Sequence, residues 1–276
     1  MNDTQATEAA KTTLRTVDQL CKEIFGARFV ASYAMGSLAR GGFSPLVSDV
    51  DFGLIVTEPL QPSDAADIEN VQQIAGKRGC YLADRLSIFW GSRQSLENDS
   101  SGGRFPPFDR LDLLDHATLI SGTECRQGIP APTREQLEVA GFEFALDYLA
   151  TPQRIEEFKH PERIVSATPV YLSKTVLYPP RFLYTSDTNR VAGNDVAVEH
   201  YLKRHDGADA GLVSTVYEWR VGGDAPPETQ LLEQLQIGLL PLYDQFLSHY
   251  AQRLKDGGRG DLASKADDWR HALGLE

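Results

Sequence analysis

Apolar positions follow two different rhythms along the chain, and the change between them falls near residue 130. In the first half, residues 29–35 and 50–56 are near-continuous apolar runs, the pattern of buried strands. Residues 81–90 add a third strand-like stretch, carrying Leu86, Ile88, Phe89 and Trp90. Helical spacing precedes and separates them. Leu14, Val17, Leu20, Cys21 and Ile24 fall on one face of a helix over 6–25, and 63–78 reads as a second helix with Ser63 as N-cap and Gly79 as its stop. Residues 97–107 are a loop by composition, and 108–120 a helix closed near Gly122. Beyond Gly128-Ile129-Pro130-Ala131-Pro132, the best linker, strand signals stop. Helical patterns cover 133–149 (capped by Thr133), 171–184 (bent or restarted at Pro179-Pro180), 194–203 (capped by Asn194), 210–220 and 229–254. The polar, glycine-rich stretch 253–260 predicts a loosely attached tail. The expected class is α+β: a small mixed sheet with flanking helices in 1–130, then an all-α domain in 131–276.

Composition narrows the setting. Of 276 residues, 41% are apolar, enough for a packed core. No stretch approaches the ~20 apolar residues a membrane helix needs, and MNDTQATEAAKTT carries no secretory pattern, so no membrane partner and a cytoplasmic location are expected. Cys21, Cys80 and Cys125 are odd in number and widely spaced; they suit a reducing compartment and form no metal pattern. A net charge of −12 repels a phosphate backbone, which argues against nucleic acid as partner. It would draw a cationic small molecule, or simply keep the chain soluble.

The chemistry concentrates in MGSLARGGFSPLVSDVDFGLIV, residues 35–56. Gly36-Ser37 stands where a strand turns into loop or helix, placed to bring backbone N–H groups and a hydroxyl to phosphate oxygens. After eleven intervening residues come Asp49 and Asp51, which period 2 places on one face of a strand. Paired carboxylates repel unless a divalent cation holds them, and oxygen donors suit Mg²⁺. Arg40, in the intervening loop, is a candidate phosphate ligand or an ordinary surface arginine. Strand, Gly-Ser, loop, Asp-x-Asp, strand resembles the signature of the DNA polymerase beta-type nucleotidyltransferase superfamily.

That resemblance implies a Mg²⁺-dependent transfer of a nucleoside monophosphate, AMP from ATP, to an acceptor hydroxyl. It also implies a third carboxylate on a later strand as general base. Asp84 is the only acid in 81–90 and is the candidate, although an alignment on the apolar run 86–90 puts Arg85 there instead. Two further stretches resemble aminoglycoside adenylyltransferases. LDLLDHATLISG, residues 111–122, is similar to the helix-turn element closing their catalytic domain. Residues 181–200 resemble a helical-domain segment of the streptomycin/spectinomycin 3''-adenylyltransferases, whose acids carry over to Asp195 and Glu199. These lie four apart on one helix face, where the resemblance has them meet the amines of an antibiotic. This chain departs from the pattern at Asn189 (usually Gly), Asn194 (usually Lys) and His200 (usually Trp). The implied acceptor is a small hydroxylated molecule such as an aminoglycoside, with an antibiotic-resistance role. Two alternatives stay open: a protein-modifying nucleotidyltransferase of toxin–antitoxin type, and a nucleotide-binding regulator with a degraded site.

Overall fold

The computed structural model describes residues 2–98 and 102–275, which divide into two compact units, 1–132 and 133–276. The first unit runs α1 (Asp3–Phe25), β1 (Phe29–Ala34), α2 (Gly36–Arg40), β2 (Val50–Val56), α3 (Asp64–Lys77), β3 (Leu86–Ser92), α4 (Arg93–Asn98), α5 (Pro107–Asp115) and β4 (Thr118–Gly122). The strands form one mixed sheet in the order β3-β2-β1-β4. β1 pairs antiparallel with β2 and β4, and β2 pairs parallel with β3.

Alternation along β2 builds two cores. Val50, Phe52, Leu54 and Val56 face one way, packing with Leu14, Val17 and Cys21 of α1 and Ile68, Val71 and Ala75 of α3. Ile55 faces the other way with Tyr33, Met35, Phe89 and Leu113, so Asp51 belongs to this second face. Cys21 is fully buried. Burial pushes its thiol up to about 12, which makes it an inert packing residue.

Four expectations for this unit change. The strand predicted over 81–90 begins at Leu86; Ala83–Arg85 is a 3-10 turn entered through Leu82 at φ +56°. The helix predicted over 108–120 ends at Asp115, and the chain then forms β4 at the sheet edge. β4 was hidden because Leu119 and Ile120 also fit the helical spacing of the preceding run. Ser63 is the N-cap residue of α3 but makes no side-chain cap bond; Asp64 instead accepts from Gln61 N and from Arg28. The loop expected over 97–107 includes 99–101, outside the described residues, and its first two residues close α4.

The second unit is helical: α6 (Arg134–Leu149), α7 (Pro152–Lys159), α8 (Pro169–Thr188), α9 (Asn194–Leu202), α10 (Ala208–Arg220), α11 (Glu228–Asp256) and α12 (Gly260–Ala272). Thr133 caps α6 in a reciprocal box with Gln136, as its sequence predicts. α8 continues through Pro179-Pro180 rather than restarting. Pro179 cannot donate to Thr175 O, and the Tyr243 hydroxyl donates there instead at 2.9 Å. The cap of α9 is Gly193, not Asn194. Asn189 closes α8 at φ +57°, which explains a glycine-like position: asparagine is among the few residues that tolerate left-handed backbone. The tail is not loose. α12 buries Leu262, Ala266 and Trp269, Trp269 packs on Tyr243 and Phe246, and Arg270 pairs with Asp244 at 2.7 Å. No described helix is long and apolar enough to cross a membrane.

Candidate active site

The antiparallel register of β1 and β2 brings the two halves of the motif together. Ala34 pairs with Phe52, and Met35 N continues the ladder by donating to Asp51 O at 3.0 Å. Gly36 therefore emerges beside Asp51. It is buried, at φ +60°, and a Cβ there would overlap Asp51 Oδ2 and stand 2.8 Å from Asp51 Cγ. Only glycine allows the carboxylate to lie against this turn. Ser37 follows as a half-buried residue in the first turn of α2.

The connection from α2 to β2 is pinned where it delivers Asp49. Ser44 N donates to Ser48 Oγ at 2.9 Å, Ser48 N to Ser44 O at 2.8 Å, and Arg85 to the carbonyls of Pro45 and Leu46 at 2.8 and 3.3 Å. Arg85 thus braces the loop ahead of the carboxylates. Asp49, just before β2, and Asp51, within it, are both half-buried.

Arg40 is half-buried and held within the protein. Its Nη1 pairs with Asp112 Oδ1, and Asp112 Oδ2 accepts from Gly36 N at 2.7 Å. Asp112, on α5, is 6% exposed and is the residue of this site that sequence reasoning passed over. The Nε of Arg40 is buried with no partner among the described residues.

Asp84 is exposed in the 3-10 turn and not on β3. The position paired with Asp51 across the parallel register is Ser87; on that face of β3 follow Phe89 and Gly91. The strand-borne acid expected beside Asp51 is therefore a serine.

Among the described residues no group of three His, Cys, Asp or Glu side chains could by itself hold a metal. Two strand-end carboxylates, one seated over a turn that a Cβ would fill, nonetheless fit a Mg²⁺ ion, which ordinarily takes one or two carboxylates and completes its shell with water and phosphate oxygens.

In the second unit, Asp195 and Glu199 lie exposed on α9. Glu199 pairs with Lys203 at 2.6 Å, both side chains 66% exposed, and that bond holds its carboxyl below the usual range. Asp195 is close enough to Tyr217 to add to the burial that raises its phenol. His200 bonds Asp187 at 2.7 Å and Arg204 at 3.0 Å. His249 contacts Ser186 at 2.9 Å, and burial lowers its pKa.

No family model matches the chain, and no curated protein does. Among solved structures, it is similar to the spectinomycin adenyltransferase AAD(9) from Enterococcus faecialis, crystallised with ATP and spectinomycin. The TM-score is 0.56 at 13% identity, over 82% of this chain and 99% of that one. The two share a fold, α+β with a helical C-terminal part.

Proposed function

We propose that the chain is a nucleotidyltransferase that moves AMP from ATP to a hydroxyl of a small acceptor, an aminoglycoside or similar cationic polyol, with Mg²⁺ as cofactor. The observation that carries this reading is the seating of Asp51 against Gly36, one strand-pairing step from the end of β1. Asp49 and Asp51 would hold the metal. When bound, Mg²⁺ would neutralise charge building on the transferring phosphoryl group. Ser37 would donate to a nucleotide phosphate, and Arg40, held through Nη1 by Asp112, would lend the site positive charge. The protein's share of the catalysis is positioning. Asp195 and Glu199 would meet amines of the acceptor by charge-assisted hydrogen bonds. The neighbouring fold, crystallised with ATP and spectinomycin, supports both the nucleotide and the acceptor class.

Asp84 is the proposed general base, from the exposed turn ahead of β3. Ser87 at the register position of Asp51 favours a second reading, a nucleotide-binding protein that transfers slowly or not at all. Labelled ATP with a panel of aminoglycosides and neutral polyols separates the two. The enzyme reading expects a labelled, amine-bearing product and pyrophosphate; ATP binding without product on any acceptor would favour the second.

A further inference from the structure

We propose that Asp112 is a positioning residue that holds the Gly36 turn in the shape Asp51 requires; the inference rests on the nucleotidyltransferase reading above. The first amides of a helix have no partner inside it and need a cap. At α2 the capping position is Met35, whose side chain makes no cap bond. The missing acceptor comes from 76 residues away: Asp112 Oδ2 takes the Gly36 N–H at 2.7 Å. Its other oxygen takes Arg40, at the far end of the same short helix. One buried carboxylate thus grips both ends of α2.

A buried carboxylate is retained only with such partners, and Arg40 supplies the compensating charge that lets a second acid approach the turn under Asp51. The grip fixes Gly36 at a left-handed φ, the conformation in which its missing Cβ leaves room for Asp51. It also means that the Gly36 N–H is committed to the protein, which leaves Ser37 as the donor of this turn to a phosphate. Asp112 need touch neither nucleotide nor metal to matter: if the turn relaxes, Asp51 loses its seat.

Two variants of the full chain isolate the grip. Asp112→Asn and Asp112→Leu both end the ion pair with Arg40, but only asparagine keeps an oxygen for the Gly36 N–H. Calorimetric titration with Mg²⁺ and ATP should show Asp112→Leu binding at least about tenfold more weakly than Asp112→Asn, the order expected for one hydrogen bond to a buried amide. A purely structural role would lower both melting temperatures and leave the two affinities equal, and equal affinities overturn the proposal. Amide exchange gives a second reading that needs no ligand. Gly36 N–H should exchange slowly in the wild type and in Asp112→Asn, and fast in Asp112→Leu. Should Asp112→Leu not fold, slow Gly36 exchange in the wild type beside a faster Ser37 amide supports the grip, and fast exchange overturns it. A wild type that binds no ATP would defeat the nucleotidyltransferase reading, and the Gly36 exchange rate would then decide the role of Asp112 alone.

Discussion

Replacing Gly36 by alanine tests the geometry at the centre of the site. Two costs follow from the structure. The backbone at φ +60° is left-handed, which disfavours an L side chain by about 1–2 kcal/mol. The new Cβ would overlap Asp51 Oδ2 and sit 2.8 Å from Cγ and 3.1 Å from Cβ of the same side chain, an overpacking worth about 1–3 kcal/mol if nothing moves. Gly41 provides the control, since it sits at φ +83° with nothing within 4 Å of an added Cβ. Gly41→Ala carries the first cost without the second. For a unit of this size each kcal/mol shifts the melting temperature by roughly 3–5 °C. Gly36→Ala should therefore melt roughly 3–15 °C below Gly41→Ala in a thermal scan by circular dichroism. Asp51 can escape the clash by rotating away, and the loss then moves from stability to Mg²⁺-dependent ATP binding. Either outcome fits the geometry. A Gly36→Ala protein that melts with Gly41→Ala and also binds ATP like the wild type would refute it.

Other substitutions probe the remaining roles. Asp84→Asn should lower the transfer rate about 10²–10⁴-fold, the usual share of a general base, with ATP binding intact; an unchanged rate removes Asp84 from that role. Asp195→Asn should raise the Michaelis constant for amine-bearing acceptors about tenfold or more, and Glu199→Gln by less, because Lys203 already shares the Glu199 charge. Steady-state kinetics in which both variants match the wild type on every amine would make this helix face ordinary solvated surface. His249 sits near Asp187, Glu138 and Arg253, and burial, the largest influence, holds its pKa below the ordinary value of 6.5. Its contribution to stability is thus fully present above that value and falls as pH drops below it, because the unfolded chain then takes up the proton first. The melting temperature of His249→Gln should fall less than that of the wild type between about pH 7 and pH 5.5, and parallel curves would contradict the assignment.

What the sequence made legible was the part governed by local rules. β2 matches its apolar run residue for residue, and α6 starts at its capping box. That the glycine turn and the second aspartate would meet at the strand ends was readable from residue type and spacing. Long-range pairing hid the rest. Asp112 sits with Asp109 and Asp115 at helical spacing, which looks like a solvated stripe; its burial depends on Gly36 and Arg40, far away in the chain. The register that sets Ser87 beside Asp51 is decided by where β3 begins, and Leu82 in a left-handed conformation delays that start beyond what apolar content suggests. The prolines of α8 read as a break because the Tyr243 hydroxyl that answers the lost donor comes from another helix.

The central claim is that Asp49, Asp51 and the turn at Gly36 form one metal-dependent nucleotide site. Calorimetric titration of ATP into the wild type, Asp49→Asn and Asp51→Asn, each with Mg²⁺ and with chelator, tests it most directly. The account predicts binding in the wild type only when Mg²⁺ is present, and loss of that binding in both variants while their circular dichroism stays native. ATP binding that ignores Mg²⁺ and survives both substitutions would contradict it.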